Sequence, residues 1–276
     1  METGRRNTDG TMRKLTALLI VRNEETMLPG CLDALAGVVD RLAVVDTGSH
    51  DRTTSLLEAE SRRDRFETVA WEQHALTDFA DARNRALVLV GTPWCLWIDA
   101  DERLSAGLRA ELRRIARDGT IDDADAWSLP FRVHVLGRAM TCRELSDQRH
   151  VRLFRTAGAA FAGAVHEGLA LPEGARIGGL SGVVDHRTMT SWRTYWRKVR
   201  RYTQLESGSR SRLYALGHLP IALMAGMWRL YVWRGCWRDG WPGFVWAGTS
   251  AMGSALRDLR IITRRRRPSS DRQGPI

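Results

Sequence analysis

Four short apolar runs alternate with stretches of helical character over the first hundred residues, and this alternation constrains the fold more than any other feature. The runs are typical of buried strands and lie at Leu15–Val21, Arg41–Asp46, 66–71 and 94–99. Strands separated by helices make βαβ units, whose right-handed crossovers produce a parallel sheet. The sequence therefore predicts an α/β domain with a mainly parallel, Rossmann-like central sheet.

Polar residues follow three of these strands at the point where each one ends. They are the groups Arg22-Asn23-Glu24, Asp46-Thr47-Gly48-Ser49 and Asp99-Ala100-Asp101. Ligands of open parallel sheets bind outside the carboxyl ends of the strands, so we expect all three groups to face one crevice. The chain contains neither a G-x-G-x-x-G nor a G-x-x-x-x-G-K-S/T motif, which excludes a dinucleotide fingerprint and a P-loop as the explanation for that crevice.

The acids Asp99 and Asp101 stand out because the chain carries a formal net charge of +10. Side chains alternate between faces in an extended segment, so we expect these two carboxylates on one side and Glu102 on the other. Two carboxylates at a strand end form half of a site for Mg²⁺ or Mn²⁺, which take their remaining ligands from water and substrate phosphates. The alternative is an acidic turn stabilised by the dipole of the following helix. The two neighbouring polar groups favour the metal site.

Composition limits the partners and the compartment. The positive charge comes almost entirely from arginine, because the only lysines are Lys14 and Lys198. A formal net charge of +10 predicts attraction to the phosphates of nucleotides, nucleic acids or anionic lipids. The four cysteines show neither C-x-x-C pairing nor zinc spacing. Residues 1–14 lack the apolar core of a secretory signal, and no uncharged apolar run reaches the roughly 20 residues of a spanning helix. We therefore expect a cytoplasmic protein.

The character of the chain changes after a predicted helix at 105–117, whose N-cap is Ser105. Strand-like segments follow at 126–137, 150–156 and 178–186, and from Met189 onward the pattern is helical and rich in arginine and tryptophan. The predicted divisions are a flexible N-terminus at 1–14, an α/β domain at 15–188, an α-helical C-terminal extension at 189–263 and a disordered basic tail at 264–276.

Eight segments carry a resemblance to a known family. They run in order from about Leu15 to about Leu205: "LTALLIVRNEETMLPGCLDAL", "AVVDTGSHDRT", "DFADARNRAL", "WCLWIDADERL", "RHVRLFR", "AVHEG", "DH" at 185–186 and "YWRKVRRYTQL". Together they resemble the family-2 glycosyltransferases of the GT-A fold, and most closely the branch that includes lipopolysaccharide-core β-glucosyltransferases. The later element "RGCWRDGWPGF" also resembles that branch. The resemblance implies a GT-A domain for nucleotide-diphospho-sugars.

The activity implied by this resemblance is an inverting transfer of a hexose from a nucleotide-diphosphate donor to an acceptor hydroxyl. Glucose from a UDP-sugar is the expected donor group. The expected acceptor is a glycolipid, a lipopolysaccharide core or another cell-envelope glycan. A divalent metal, Mg²⁺ or Mn²⁺, is the implied cofactor.

The family's functional positions can be carried over motif by motif. The implied donor-binding residues are Asn23, Glu24, Asp46, Arg83, Asn84 and Asp99, and we add Arg152 because an arginine would stabilise charge on the leaving diphosphate. The implied metal ligands are Asp101 and Asp99, with His186 as a third candidate for the metal or the diphosphate. A lone histidine after a strand is also typical of a structural role. Thr47 stands where many members carry a second acid.

The acceptor hydroxyl must lose a proton, which requires a positioned carboxylate or imidazole as general base. Glu167 in "GAVHEGL" is our first candidate and His166 the second, because other GT-A enzymes place a catalytic acid at a comparable point. The alternative is a simple turn between strands.

The C-terminal third interleaves tryptophan and tyrosine with arginine, as in "WRTYWRKVRRY" and "MWRLYVWRGCWRDGWPGFVW". This mixture suits the boundary between water and an anionic lipid surface. We expect peripheral attachment to the inner face of the cell membrane. A helical cap over one face of the sheet is the alternative, and both roles are compatible.

Two other classes of protein compete with a glycosyltransferase. A nucleic-acid-binding protein would explain the basic charge and the "RRRR" tail, but acids at the strand ends repel phosphate unless a cation intervenes. A metal-dependent nucleotidyltransferase would need a glycine- and lysine-rich phosphate loop after the first strand, where this chain has "IVRNEE". Glycosyl transfer is therefore preferred, with no nucleic acid among the expected partners.

Overall fold

The computed structural model describes residues 13–76, 78–146, 148–163, 168–189, 221 and 223–263. The chain forms two compact units. We call Met1–His134 with Leu145–Thr188 the sheet unit, and Val135–Glu144 with Met189–Ile276 the C-terminal unit.

Strands and helices alternate through the first half of the chain, as the sequence predicts. In the described residues the strands are β1 (Leu15–Val21), β2 (Arg41–Asp46), β3 (Thr68–Gln73), β4 (Trp94–Trp97), β5 (Glu102–Leu104), β6 (Ala126–Val135), β7 (Arg138–Ala139), β8 (Arg149–Arg155), β9 (Ala160–Ala162), β10 (Gly168–Ala170), β11 (Ile177–Gly179) and β12 (Val184–Met189). The α-helices are α1 (Leu28–Leu35), α2 (Thr53–Ser61), α3 (Phe79–Val88), α4 (Ala106–Asp118), α5 (Arg143–Ser146) and α6 (Trp241–Thr263).

The main sheet is parallel on one side and antiparallel on the other. Its strand order is β3-β2-β1-β4-β8-β6-β12-β5, with β11 paired to β6. The first four strands of this order are mutually parallel, whereas β8 runs antiparallel to β4 and to β6. The predicted parallel α/β sheet is therefore confirmed, although β3 begins two residues later than its apolar run at 66–71.

Alternation along β1 explains why helices cover both faces of the sheet. Leu15 and Leu19 join a core packed with α1 and α4, while Leu18 joins a second core with the alanines of α3. All three leucines are almost completely buried. A strand buried on both faces has a continuous apolar sequence, which is the pattern seen in "LTALLIV".

Helix α4 begins where the sequence predicts. The Ser105 hydroxyl accepts a hydrogen bond from the Leu108 N–H at 3.2 Å, and the helix ends at Gly119, whose φ of +77° is left-handed. The predicted strand at 178–186 is instead divided into β11 and β12. Between them Gly182 lies so close to α4 that a Cβ there would be 2.3 Å from the Leu108 Cα, and this close approach interrupts the strand.

The described part of the C-terminal unit is mainly helical. It contains a π-helical segment at Trp228–Trp233, a 3₁₀ turn at Cys236–Asp239 and the long helix α6. The Asp239 carboxylate accepts hydrogen bonds from the backbone of Thr141 and Cys142, and the Cys142 and Cys236 sulfurs are 2.9 Å apart. Within the described residues, no helix combines the length and the apolar character needed to cross a bilayer.

Candidate active site

The first two polar groups meet at the carboxyl ends of β1 and β2. The Ser49 hydroxyl accepts a hydrogen bond from the Asn23 N–H, and the Asn23 side-chain oxygen accepts one from the His50 N–H, both at 2.8 Å. The Glu24 N–H donates to the Thr53 hydroxyl at 2.8 Å, which joins the loop after β1 to the start of α2. Asn23 has a φ of +56°, a left-handed conformation that asparagine tolerates better than most residues.

Asp46, the last residue of β2, and Thr47 directly after it are both buried. The Asp46 carboxylate accepts hydrogen bonds from the Ser49 N–H and from the Gln73 amide, each at 3.2 Å. The Thr47 hydroxyl donates to the Val21 carbonyl at 3.1 Å. An ionised aspartate has no hydrogen to donate there, which explains why threonine suits this position.

The acidic group follows β4 in a turn and not in an extended segment. The Glu102 N–H donates to the Asp99 carbonyl at 3.0 Å, and the Glu102 carboxylate accepts a hydrogen bond from the Asp99 N–H at 2.8 Å. The predicted alternation of faces along 99–102 is therefore wrong, because the chain reverses between Asp99 and Glu102. Glu102 is completely buried at the start of β5.

Two buried arginines surround this turn. Arg83 comes from α3 and Arg152 from β8. The Nη2 atom of each lies 3.6 Å from an oxygen of the Asp99 carboxylate. Arg152 also donates to the Glu102 carboxylate at 2.7 Å. Both guanidinium carbons lie near the ring of Trp97, at 4.3 Å for Arg83 and 4.0 Å for Arg152 from the ring centroid. The result is a compact cluster of two cations, two acids and one indole.

The burial of this cluster shifts its protonation equilibria. Burial raises the pKa of Glu102 to about 7, with Asp99 adding to the effect and Arg152 opposing it. Burial alone would lower the pKa of His186, but its hydrogen bond to Asp101 and the charges of the three nearby acids raise it above its usual value. The imidazole of His186 therefore binds a proton more readily than that of an ordinary histidine.

Asp101 and His186, two of the predicted metal ligands, lie close together, whereas the third, Asp99, pairs with the two arginines. The His186 Nε2 atom lies 3.6 Å from an Asp101 carboxylate oxygen. Across the described residues, no group of three or more histidine, cysteine or acidic side chains has the geometry of a complete metal site. A carboxylate and an imidazole nevertheless fit a half-site, since Mg²⁺ and Mn²⁺ take other ligands from substrate phosphates and water.

Asn84 lies in the same region but its amide is occupied by the protein. Its Nδ2 donates to the Phe161 carbonyl and its Oδ1 accepts from the Phe161 N–H, both at 2.8 Å. The Phe161 ring in turn meets Trp97 edge to face, with the centroids 5.1 Å apart. The amide of Asn84 therefore holds β9 against the arginine–tryptophan cluster. The predicted general bases His166 and Glu167 lie outside the described residues.

Sequence reasoning missed two residues of the site, Trp97 and Arg103. Arg103 donates to the carbonyls of Ala100 and Glu102, at 2.8 and 2.7 Å, and also to the Met27 carbonyl, so it ties the acidic turn to the start of α1. Gly30 leaves room for this arginine, because a Cβ there would lie 2.9 Å from the Arg103 side chain. The sequence signal that could have identified Arg103 is its position directly after the acids Asp99, Asp101 and Glu102.

This architecture, with polar side chains gathered at the carboxyl ends of parallel strands, defines a GT-A type nucleotide-sugar transferase fold. Among solved structures, mannosyltransferase PcManGT from Pyrobaculum calidifontis, in complex with GDP-Man and Mn²⁺, matches with a TM-score of 0.50 at 15% identity, over 90% of this chain and 88% of that one. The predicted fold class is confirmed.

Comparison of sequences specifies the family. The model of Glycosyl transferase family 2 matches residues 16–132. The chain is 31% identical over 270 residues to the lipopolysaccharide core biosynthesis glycosyltransferase LpsC of Rhizobium meliloti (strain 1021), covering 93% of this chain and 96% of that protein. It is 27% identical over 154 residues to glycosyltransferase SunS of Bacillus phage SPbeta, covering 55% and 34% respectively. The chain belongs to glycosyltransferase family 2 and is an enzyme, as the sequence predicts.

Proposed function

We propose that this enzyme is an inverting, metal-assisted hexosyltransferase that uses a nucleotide-diphosphate sugar and glycosylates a lipopolysaccharide core or another envelope glycolipid. We expect the donor to be a UDP-sugar and the transferred hexose to be glucose. The observation that carries the proposal is the meeting of the Arg83–Arg152 pair with Asp99, Asp101 and His186 at the carboxyl end of β4. The similarity to LpsC along nearly the whole chain supports the acceptor class.

The charges of the site suit a diphosphate leaving group. Negative charge grows on the diphosphate as the glycosidic bond breaks, and fixed cations in a water-poor site stabilise that charge most effectively. Arg83 and Arg152 are both more than nine-tenths buried, so they are held in place before the donor arrives. Asp101 and His186, with Asp99 as the further predicted ligand, would hold Mg²⁺ or Mn²⁺, which supplies Lewis-acid stabilisation of the diphosphate when bound.

The remaining donor contacts are proposed for the loops after β1 and β2. Asp46 and the Asn23–Glu24 segment are our candidates for the nucleoside pocket, because hydrogen bonds already join these loops into one wall. Glu167 is proposed as the general base that removes the acceptor proton, with His166 as the second candidate.

We further propose that 15–188 is the catalytic domain and that the extension at 189–263 attaches the enzyme to the inner face of the cell membrane. Several large apolar side chains of the described extension are more than half exposed: Met224, Trp228, Val232, Trp233, Trp237, Trp241 and Phe244. Arginines lie between them in the sequence, at Arg229, Arg234 and Arg238. Exposed tryptophan with adjacent arginine suits the headgroup region of an anionic bilayer.

The decisive experiment measures donor binding and transfer separately. Nucleotide sugars are titrated into the enzyme with Mg²⁺, with Mn²⁺ and with chelator, and sugar transfer to a deacylated core acceptor is followed in parallel. We expect Asp101→Ala to abolish turnover and to remove the metal dependence of donor binding. Asp33→Ala, which removes a surface carboxylate paired with Arg65, is the control and should change neither. Metal-independent transfer at the wild-type rate by Asp101→Ala would refute the metal assignment.

A second variant tests the base. Glu167→Ala should bind the donor normally and transfer sugar at least a hundredfold more slowly, in line with the roughly 10²–10⁴-fold contribution of general bases. Near-normal transfer would remove Glu167 from the mechanism, and the same measurement on His166→Ala would then decide the second candidate.

A further inference from the structure

We propose that Trp97 is a positioning residue that holds both Arg83 and Arg152 against its indole ring as a preformed binding pair for the donor diphosphate. This inference rests on the proposed function, because it assigns part of that site to the diphosphate. The two guanidinium carbons lie 4.3 and 4.0 Å from the Trp97 ring centroid, although the arginines come from α3 and β8, which are distant in sequence.

Two neighbouring buried cations repel one another and need a negative partner. A carboxylate would supply one, but it would also occupy the N–H edge of the guanidinium group. The face of an indole ring attracts the cation through its quadrupole and leaves that edge available to a ligand. Asp99 and Glu102 supply negative charge next to the Nη2 atoms of the pair, and Trp97 adds to this stabilisation without occupying any further N–H donor.

The hydrogen bonds of the cluster support this division of roles. Arg152 uses Nη2 to bind Glu102, whereas its Nε and Nη1 atoms are buried and have no hydrogen-bond acceptor among the described residues. The Trp97 indole N–H is likewise buried without an acceptor in the part of the chain described. Buried N–H groups are normally satisfied, so three such donors on two touching side chains indicate a site for an anion rich in acceptor oxygens.

The position of the Trp97 ring is itself fixed. Phe161 packs edge to face against it, and Asn84 binds the backbone of Phe161 through both ends of its amide. The Phe131 ring also lies near the cluster, with its centroid 5.1 Å from the Arg152 guanidinium carbon. Aromatic contacts thus fix the indole ring, and the indole ring fixes the arginines.

The test compares ligands that carry the nucleoside, the diphosphate or both. Binding of UDP, inorganic pyrophosphate and uridine is measured by calorimetry for the wild type, Trp97→Leu and Trp97→Phe, with and without Mg²⁺. We expect Trp97→Leu to weaken the binding of UDP and of pyrophosphate by at least about tenfold, because both desolvated cation–π contacts that position the arginines are lost. Uridine binding should not change, and Trp97→Phe should recover most of the lost affinity because it restores an aromatic face.

Trp71→Leu, at a half-buried tryptophan on β3, is the matched control and should leave all three affinities unchanged. If Trp97→Leu does not fold, Trp97→Met retains apolar volume without a ring and takes its place. Wild-type affinity for UDP and pyrophosphate in the folded variant would overturn the role of Trp97 while leaving the proposed function intact. A wild-type enzyme that binds neither UDP nor pyrophosphate would overturn both.

Discussion

The two units of this enzyme combine tryptophan with arginine in opposite ways. In the sheet unit, Arg83 and Arg152 are 6% and 7% exposed and lie close to the half-buried ring of Trp97. In the C-terminal unit, Arg238 lies 5.4 Å from the Trp237 ring centroid, and that tryptophan is 53% exposed. The same two residue types therefore form a buried cluster in one unit and a surface contact in the other.

Burial decides what such a pair can do. A cation over an aromatic ring contributes about 0.5–1 kcal/mol at an exposed site and about 2 kcal/mol or more when both groups are desolvated. The buried pair is held rigidly and suits recognition of a charge at a defined place. The exposed pair remains adaptable and suits a soft surface such as a lipid headgroup layer. Three predictions test this contrast, beginning with the largest expected effect.

The first prediction compares the two arginines by stability. Arg152→Ala leaves the buried Glu102 without its cation and should lower the free energy of unfolding by about 3–5 kcal/mol. Arg238→Ala removes an exposed contact and should change it by less than about 1 kcal/mol. Urea unfolding at a pH above the raised pKa of Glu102 measures both. Equal losses in the two variants would mean that burial does not separate the two contacts.

The second prediction uses the pKa of Glu102, which burial raises from 4.5 to about 7. Between these values the folded protein binds more protons than the unfolded chain, so this carboxyl lowers stability as pH rises through that window. Glu102→Gln removes the titration, so the variant should lack the fall in stability of up to roughly 3 kcal/mol that the metal-free wild type shows as pH rises through this window. Unfolding across a pH series in chelator measures the difference, and parallel wild-type and variant curves would contradict it.

The third and smallest effect concerns the exposed pairs. Trp237→Ser or Trp241→Ser should weaken binding to anionic vesicles by about tenfold each while changing stability by less than about 0.5 kcal/mol. Binding of the wild type should also fall as salt is added, because lipid attraction to the nearby arginines is screened. Vesicle flotation measures both trends. Trp97→Phe serves as the control with unchanged flotation, and a wild type that stays with the unbound fraction at low salt would refute attachment.

Local patterns predicted the regular parts of the sheet unit well. The bounds of β1 and β2 follow from their apolar runs, and the start of α4 follows from Ser105, because these features depend on neighbouring residues alone. The turn at Asp99–Glu102 was not predicted. Two hydrogen bonds between these residues close the turn, and the sequence does not show that they form in place of an extended strand end. The division of the predicted strand 178–186 into β11 and β12 was not predicted either. It depends on the close approach of Gly182 to α4, which is far away in sequence.

The sequence by itself determined that this chain forms a parallel α/β sheet, that polar and acidic residues follow its strands, and that it resembles family-2 glycosyltransferases, since periodicity and contiguous motifs carry that information. Only the tertiary structure decided that Arg83, Trp97 and Arg152 form one cluster and that the Asn84 amide binds Phe161. The physical reason is that burial and side-chain contacts join residues far apart along the chain, and no local pattern records which of them will meet.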